Sequence, residues 1–311
     1  MAPHSSLRVV IFGATGNQGG SVLRTLAPHK TAYRIRAVTR TLGQAKVKEL
    51  SQQMPHVEWV EADLDDIKSI SRAVAGADVV FGVTPSVQPS RLRKQGKPLD
   101  TEFEQGKRLV DTCVEQKVKM LVFSTLPSPQ KISGGQITGV NHYENKYRIQ
   151  QYLLRHKTTM QTAAIQLAVY YQNNMQNARW SDEGTEVVFG YPGHPDRKLA
   201  YADVERDTGA MVKYIVDNRD MCNGKVYPVV SGYYSPRDIA MAFTSITGIC
   251  ARAVEVPLCF VKDSNYKAMF EFYAGYDMFA ESALDTDQAL TTPERFWKAS
   301  GFHGPPKSVC L

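Results

Sequence analysis

Long apolar runs are missing from this sequence. No stretch of ~18 consecutive apolar residues occurs, so no membrane-spanning helix is expected. Cysteine is scarce: Cys113, Cys222, Cys250, Cys259 and Cys310 are the five, an odd number, and no two form a CxxC pair. That excludes a disulfide framework and the common zinc and dithiol motifs. It leaves reduced thiols acting as small buried hydrophobes, with a cytoplasmic location expected and a nuclear one as the other option. Residues 1–13 carry neither an apolar h-region nor a cleavage site, so secretion is not expected. Internal repeats and low-complexity tracts are also missing. The net charge of +6 over 311 residues is diffuse, and no basic recognition helix or RNA-type aromatic motif accompanies it, so nucleic-acid binding is not expected. A mild positive balance instead suits a phosphorylated cofactor or an anionic surface.

What is present is the composition of a globular chain, 43% hydrophobic and 22% charged. Its length suits one large α/β domain, or a core with a smaller lobe. Residues 7–12 (LRVVIF) form a short apolar run of the kind buried in parallel sheets. Further strands are expected at 34–39, 57–62, 78–83, 120–124 and 162–167, then at 187–190 and 226–230. Helical spacing marks 21–26, 67–74, 102–116, 141–155, 203–216 and 236–247, the last with Ser235 as N-cap and Pro236 at N1. The alternation predicts a doubly wound, Rossmann-type parallel sheet with a smaller C-terminal α/β lobe. The expected division is a dinucleotide-binding core at 1–160, with the remaining strands and a substrate lobe at 161–311. Two polar segments, 85–98 and 127–140, read as loops. The first is basic, with Arg91, Arg93, Lys94 and Lys97.

The strongest local signal is Gly13-Ala14-Thr15-Gly16-Asn17-Gln18-Gly19-Gly20, set between a strand and a helix. Gly13 would permit a tight turn, Gly16 would let a diphosphate approach the backbone, and Gly19 would let helix and strand pack closely. Amides of the helix N-terminus would then meet the diphosphate, with Thr15, Asn17 and Gln18 beside it. The second strand ends in Thr39-Arg40-Thr41, where NAD-specific sites carry an acidic residue. A guanidinium there pairs with a 2′-phosphate, which favours NADP(H). Asp63 and Leu64 are candidates to flank the adenine, and Thr84 the nicotinamide ribose. Lys46 and Lys48 read as a solvated helix face.

Residues GATGNQGGSV, the strand ending in VTR, EADLDD, EFEQGKRLVD and VFST together resemble the NmrA-like family. These are atypical short-chain dehydrogenase/reductases related to the isoflavone-reductase-like proteins. HYENKYRIQQYL, AIQLAVYYQNNM, DVERDTGAMV and TTPERFWKASGF extend the resemblance over most of the chain. The resemblance implies a Rossmann core, NADP(H) and a small substrate lobe. It leaves function open among reductases, biosynthetic enzymes and NADP-sensing regulators.

In the wider superfamily a tyrosine acts as general acid, and a lysine four residues on lowers its pKa and holds the nicotinamide ribose. Lys146 stands at the lysine position, and His142 occupies the tyrosine's place. Tyr143 is offset from His142 by ~100° around the helix. Three readings remain: Lys146 anchors the ribose and relays a proton; His142 substitutes as acid or base; or the helix only binds cofactor. The resemblance also points to Ser124 and Thr125, ending the fifth strand, as hydroxyl donors. Tyr170 and Tyr171 follow the sixth strand and border either a ligand or packing partners. Phe270, Phe272, Tyr273, Tyr276 and Phe279 read as a lobe core; lining a pocket, they would select a large, flat, apolar substrate. The functions in view are an NADPH-dependent reductase of C=N, C=O or conjugated C=C bonds in secondary metabolism, an acid–base cyclisation or condensation catalyst with NADP(H) as scaffold, and an NADP(H) redox sensor acting on a protein partner.

Overall fold

The structure, a computed structural model, describes residues 6–85, 92, 95–279 and 290–306. The chain forms two compact units. The first comprises Met1–Ser128, Asn141–Gln166 and Glu205–Val229, and the second Pro129–Val140, Leu167–Val204 and Val230–Leu311.

Seven strands make the sheet of the first unit: β1 (Leu7–Ile11), β2 (Tyr33–Thr39), β3 (Glu58–Glu61), β4 (Val79–Gly82), β5 (Met120–Thr125), β6 (Gln161–Leu167) and β7 (Lys225–Val229). They lie in the order β7-β6-β5-β4-β1-β2-β3. Every pairing from β3 across to β6 is parallel. The fold is thus the α/β doubly wound type expected. The hydrophobic strands β4 and β5 are buried along their whole length, as a sheet covered on both faces requires. β3 (EWVE) is the edge, and its two charged ends are exposed. The winding reverses between β1 and β4, which opens a crevice at the carboxyl ends of those strands.

The helices of this unit are α1 (Asn17–Leu26), α2 (Ala45–Gln53), α3 (Ile67–Val74), α4 (Thr101–Glu115), α5 (Asn141–Leu154) and α6 (Asp207–Asp217). α4 buries Glu102, Gln105, Gly106, Leu109, Val110 and Cys113, a single stripe at helical spacing. α5 buries Tyr143, Lys146, Ile149, Gln150 and Leu153 against it. Gly106 permits the close approach: a Cβ there would sit 2.4 Å from Ile149 Cδ1. α6 begins at Asp207, four residues after the start expected from helical spacing. Asp203 and the Val204 amide are instead bonded to the Gln172 side chain, outside any helix.

The second unit holds two small sheets. One joins Gly232–Tyr234, Leu199–Ala202 and Val169–Tyr170; the other joins Ala251–Glu255, Val187–Tyr191 and Ala178–Trp180. Of these strands the sequence reading expected Val187–Tyr191, as 187–190, and not the others. The helix Pro236–Thr247 has the expected start: Ser235 and Asp238 form a reciprocal capping box, and Gly248 ends it at φ +72°. The segment 127–140, expected as a loop, includes a helical turn at Pro129–Ile132. The core is aromatic. Trp297 packs against Phe189, Phe243, Phe296 and Phe302, and its Nε1 donates to the Ile239 carbonyl at 3.0 Å. Among the described residues no helix is long and apolar enough to cross a membrane.

The α4–α5 contact makes a checkable demand. Gly106→Ala should cost about 1–3 kcal/mol of stability in chemical denaturation, because both walls of the contact are fully packed. In an Ile149→Ala background, where the clashing atoms are gone, the same substitution should cost distinctly less.

Candidate functional site

At the carboxyl end of β1 the chain turns sharply. Gly13 takes φ +66°, in the left-handed region that a side chain disfavours. The Gly16 amide donates to the Gly13 carbonyl at 2.8 Å and closes the turn. Gly19, in the first turn of α1, passes directly over it: a Cβ there would lie 2.3 Å from the Gly13 carbonyl oxygen. Gly16 is the N-cap of α1. It has no side chain to cover the helix end, and the first turn carries no acidic residue. The amides of that turn have no acceptor within the helix, and they add to the positive end of its dipole. Thr15 and Gln18 are half-buried and Asn17 is exposed at this mouth. The arrangement fits a diphosphate laid on backbone donors.

The neighbouring strand ends carry the remaining candidates. Arg40 follows β2 directly, is exposed, and forms no ion pair among the described residues. Lys46 and Lys48 are exposed on α2, as expected of a solvated face. After β3, Asp63 accepts a bond from the Asp65 amide at 2.9 Å, while the Leu64 side chain packs into the core. Asp65 binds Gln105 and Arg108 of α4 and also Lys97. Burial works to raise the Asp65 carboxyl. The bonds from Gln105 and Lys97, with the charges of Lys97 and Arg108, outweigh it and hold the group below its ordinary 3.8.

Past β4 lies a buried polar cluster. Lys146 Nζ donates to Glu102 Oε1 at 2.5 Å, to Thr84 Oγ1 at 2.9 Å and to the Thr84 carbonyl at 3.0 Å. The Thr84 hydroxyl donates to Glu102 Oε1 at 2.8 Å. The two charged side chains are only 6% and 5% exposed. A pair this dry loses about 3–5 kcal/mol when one partner alone is removed, because the other charge is left buried. Further polar bonds pin the rest of α5. Ser128 donates to the Glu144 carboxylate, and the Gln150 side-chain carbonyl accepts from Thr125 and Gln166.

The other candidates lie as follows. Tyr143 is buried on the same face as Lys146, and His142 is half-buried with its ring edge-on to Tyr143 at 4.9 Å. Ser124 is buried at the end of β5. Tyr170 is half-buried in the second unit, paired with Ala202 across its small sheet. Tyr171 is a packing residue, fully buried and stacked on Tyr201. Of the aromatic group, Phe272, Tyr273 and Phe279 are buried, whereas Phe270 and Tyr276 are half-buried. Arg91, Arg93 and Lys94 lie outside the described residues, as does Cys310; Lys97 is held by Asp65. Cys113 and Cys222 are buried as expected, but Cys250 and Cys259 are exposed, a correction to the reading of all five as core residues. Among the described residues no cluster of His, Cys, Asp or Glu could hold a metal ion.

The sequence pattern of the NmrA-like family matches residues 5–298. The chain belongs to that family. An NmrA-like family domain-containing oxidoreductase of Aspergillus flavus, lnbB, is 28% identical over 321 residues, spanning 95% of this chain and 92% of the relative. Among solved structures, NmrA, a negative transcriptional regulator in complex with NADP, matches with a TM-score of 0.77 at 18% identity. That match covers 96% of this chain and 99% of NmrA. The NADPH-dependent quinone oxidoreductase QOR2 of Escherichia coli, complexed with NADPH, matches at 0.69 and 16% identity, over 94% and 100% of the two chains. At these identities the structural likeness concerns the fold.

Sequence reasoning missed Glu102 and Asp65. The signal for Glu102 was available: a carboxylate on the buried stripe of a helix, in line with Gly106, Leu109, Val110 and Cys113, needs a buried partner. Asp65 stood in the quoted EADLDD segment, but its partners are about 32–43 residues away and invisible to local pattern.

Asp65→Asn should therefore lower stability at neutral pH by no more than about 1 kcal/mol, since its partners are partly solvated. A carboxyl with a lowered folded pKa stabilises above 3.8 and loses that contribution on acidification. Unfolding curves of variant and parent should stay apart from pH 7 to about pH 4 and converge below it.

Proposed function

We propose that this protein binds NADP(H) and reduces a C=N, C=O or conjugated C=C bond of a bulky, apolar small molecule, in secondary metabolism. The observation that carries this reading is the glycine turn between β1 and α1 set one strand away from the exposed Arg40. The turn and the first amides of α1 take the diphosphate, and Arg40 takes the 2′-phosphate. In this reading Asp63 and the backbone at Leu64 serve the adenine end, and Thr84, Ser124 and Lys146 the nicotinamide half. Bound NADPH supplies hydride. This chain's residues contribute orientation, and His142 or a tyrosine such as Tyr143 contributes the proton. The related Aspergillus flavus protein, described as an oxidoreductase, supports the reaction class. The cytoplasm is the proposed compartment, with the nucleus as the other.

One observation favours a second reading. His142 stands where the wider superfamily has its acid, and the neighbouring tyrosine is buried. A site without that acid could hold NADP(H) as a scaffold for cyclisation or condensation. It could also report the NADP(H) ratio to a protein partner.

Fluorescence titration tests the cofactor. NADPH should bind, and Arg40→Ala should weaken it about 10–100-fold with little effect on NADH, the worth of a charged hydrogen-bonded pair. Equal affinity of parent and variant for NADPH would overturn the assignment of Arg40. Incubation with NADPH and a panel of imines, enones and carbonyls, followed at the reduced-nicotinamide band, then separates the readings. Oxidation supports the reductase, product without oxidation the scaffold, and tight binding with neither the sensor.

A further inference from the structure

Lys146 faces three acceptors at once. The Thr84 hydroxyl has one proton and gives it to Glu102, so it meets Lys146 as an acceptor. The Thr84 carbonyl can only accept. The third neighbour is Glu102 Oε1, which also takes the Thr84 proton and so meets Lys146 as an acceptor. Three acceptors therefore match the three protons of an ammonium. The N–H groups of Lys146 are engaged by two residues, one just past β4 and one in the first turn of α4.

We propose that Glu102 is a positioning residue that, together with Thr84, holds the Lys146 ammonium in one place just past β4, so that Lys146 orients the cofactor. This rests on the NADP(H) reading. Glu102 itself touches neither cofactor nor substrate; it acts through Lys146. Thr84 completes the arrangement, and its own backbone is fixed because the same residue supplies two of the three acceptors. Losing the carboxylate leaves Lys146 a buried cation with neutral acceptors only. Losing the ammonium leaves Glu102 a buried anion. Losing both leaves a neutral pocket of nearly unchanged volume.

A double-mutant cycle of Glu102→Gln, Lys146→Met and the pair tests this, read by melting temperature without cofactor and by NADPH dissociation constant. Each single variant should melt at least about 5 °C lower than the parent, and the double variant should regain much of that loss. Glu102→Gln alone should weaken NADPH about tenfold or more, and in the Lys146→Met background it should change the affinity by less than about twofold. Glu102→Asp, which keeps the charge, should restore part of the affinity that the amide loses. The proposal fails if Glu102→Gln weakens NADPH equally with and without Lys146, or if it leaves both readouts at the parental values. It fails also if the melting losses of the two single variants simply add. If the parent binds no NADPH, the functional reading falls, while the melting cycle still reports on whether the two side chains act as one unit.

Discussion

The buried ion pair between α4 and α5 is the constraint on which the geometry around it depends. A lysine and a glutamate nearly sealed from water are tolerable only if each polar atom is satisfied. Here the third participant is Thr84, at the carboxyl end of a sheet strand. Two helices and a strand are thereby locked at one point. The glycine-permitted contact of Gly106 with Ile149 brings the helices near enough for the two charged side chains to reach each other. Apolar packing sets the distance, and the polar cluster sets the register along the helix axis.

A second constraint is steric and lies on the other side of the switch point. Gly13 supplies the left-handed turn, and Gly19 lets the helix lie over that turn at a distance a β-carbon would prevent. The backbone amides of a helix end are thereby presented without a covering side chain. The two devices divide the work. One offers main-chain donors whose placement is fixed by the absence of side chains, and the other offers a side-chain cation whose placement is fixed by its neighbours.

Much of the first unit could be read in the amino-acid order because its signals are local. The apolar runs at β1, β4 and β5 and the glycine spacing before α1 each act within a few residues, as does the Ser235–Pro236 helix start in the second unit. The family could be read from the same segments. The partner of Lys146 could not be read this way, since Glu102 is 44 residues away and only the fold brings them together. Likewise nothing local announces that Tyr171 stacks on Tyr201, or that strands of two or three residues form in the second unit; tertiary neighbours make those elements.

The chain's division into two units has a temporal side. Its course alternates between them, entering the second at Pro129, returning at Asn141, leaving again at Leu167, returning at Glu205 and departing finally at Val230. The strand that closes the edge beside β6, ending at Val229, is therefore synthesised only after the chain's intervening passage through the second unit. Until then, the β6 edge is a nascent strand with open hydrogen-bonding groups, the kind of surface that chaperones shield during synthesis.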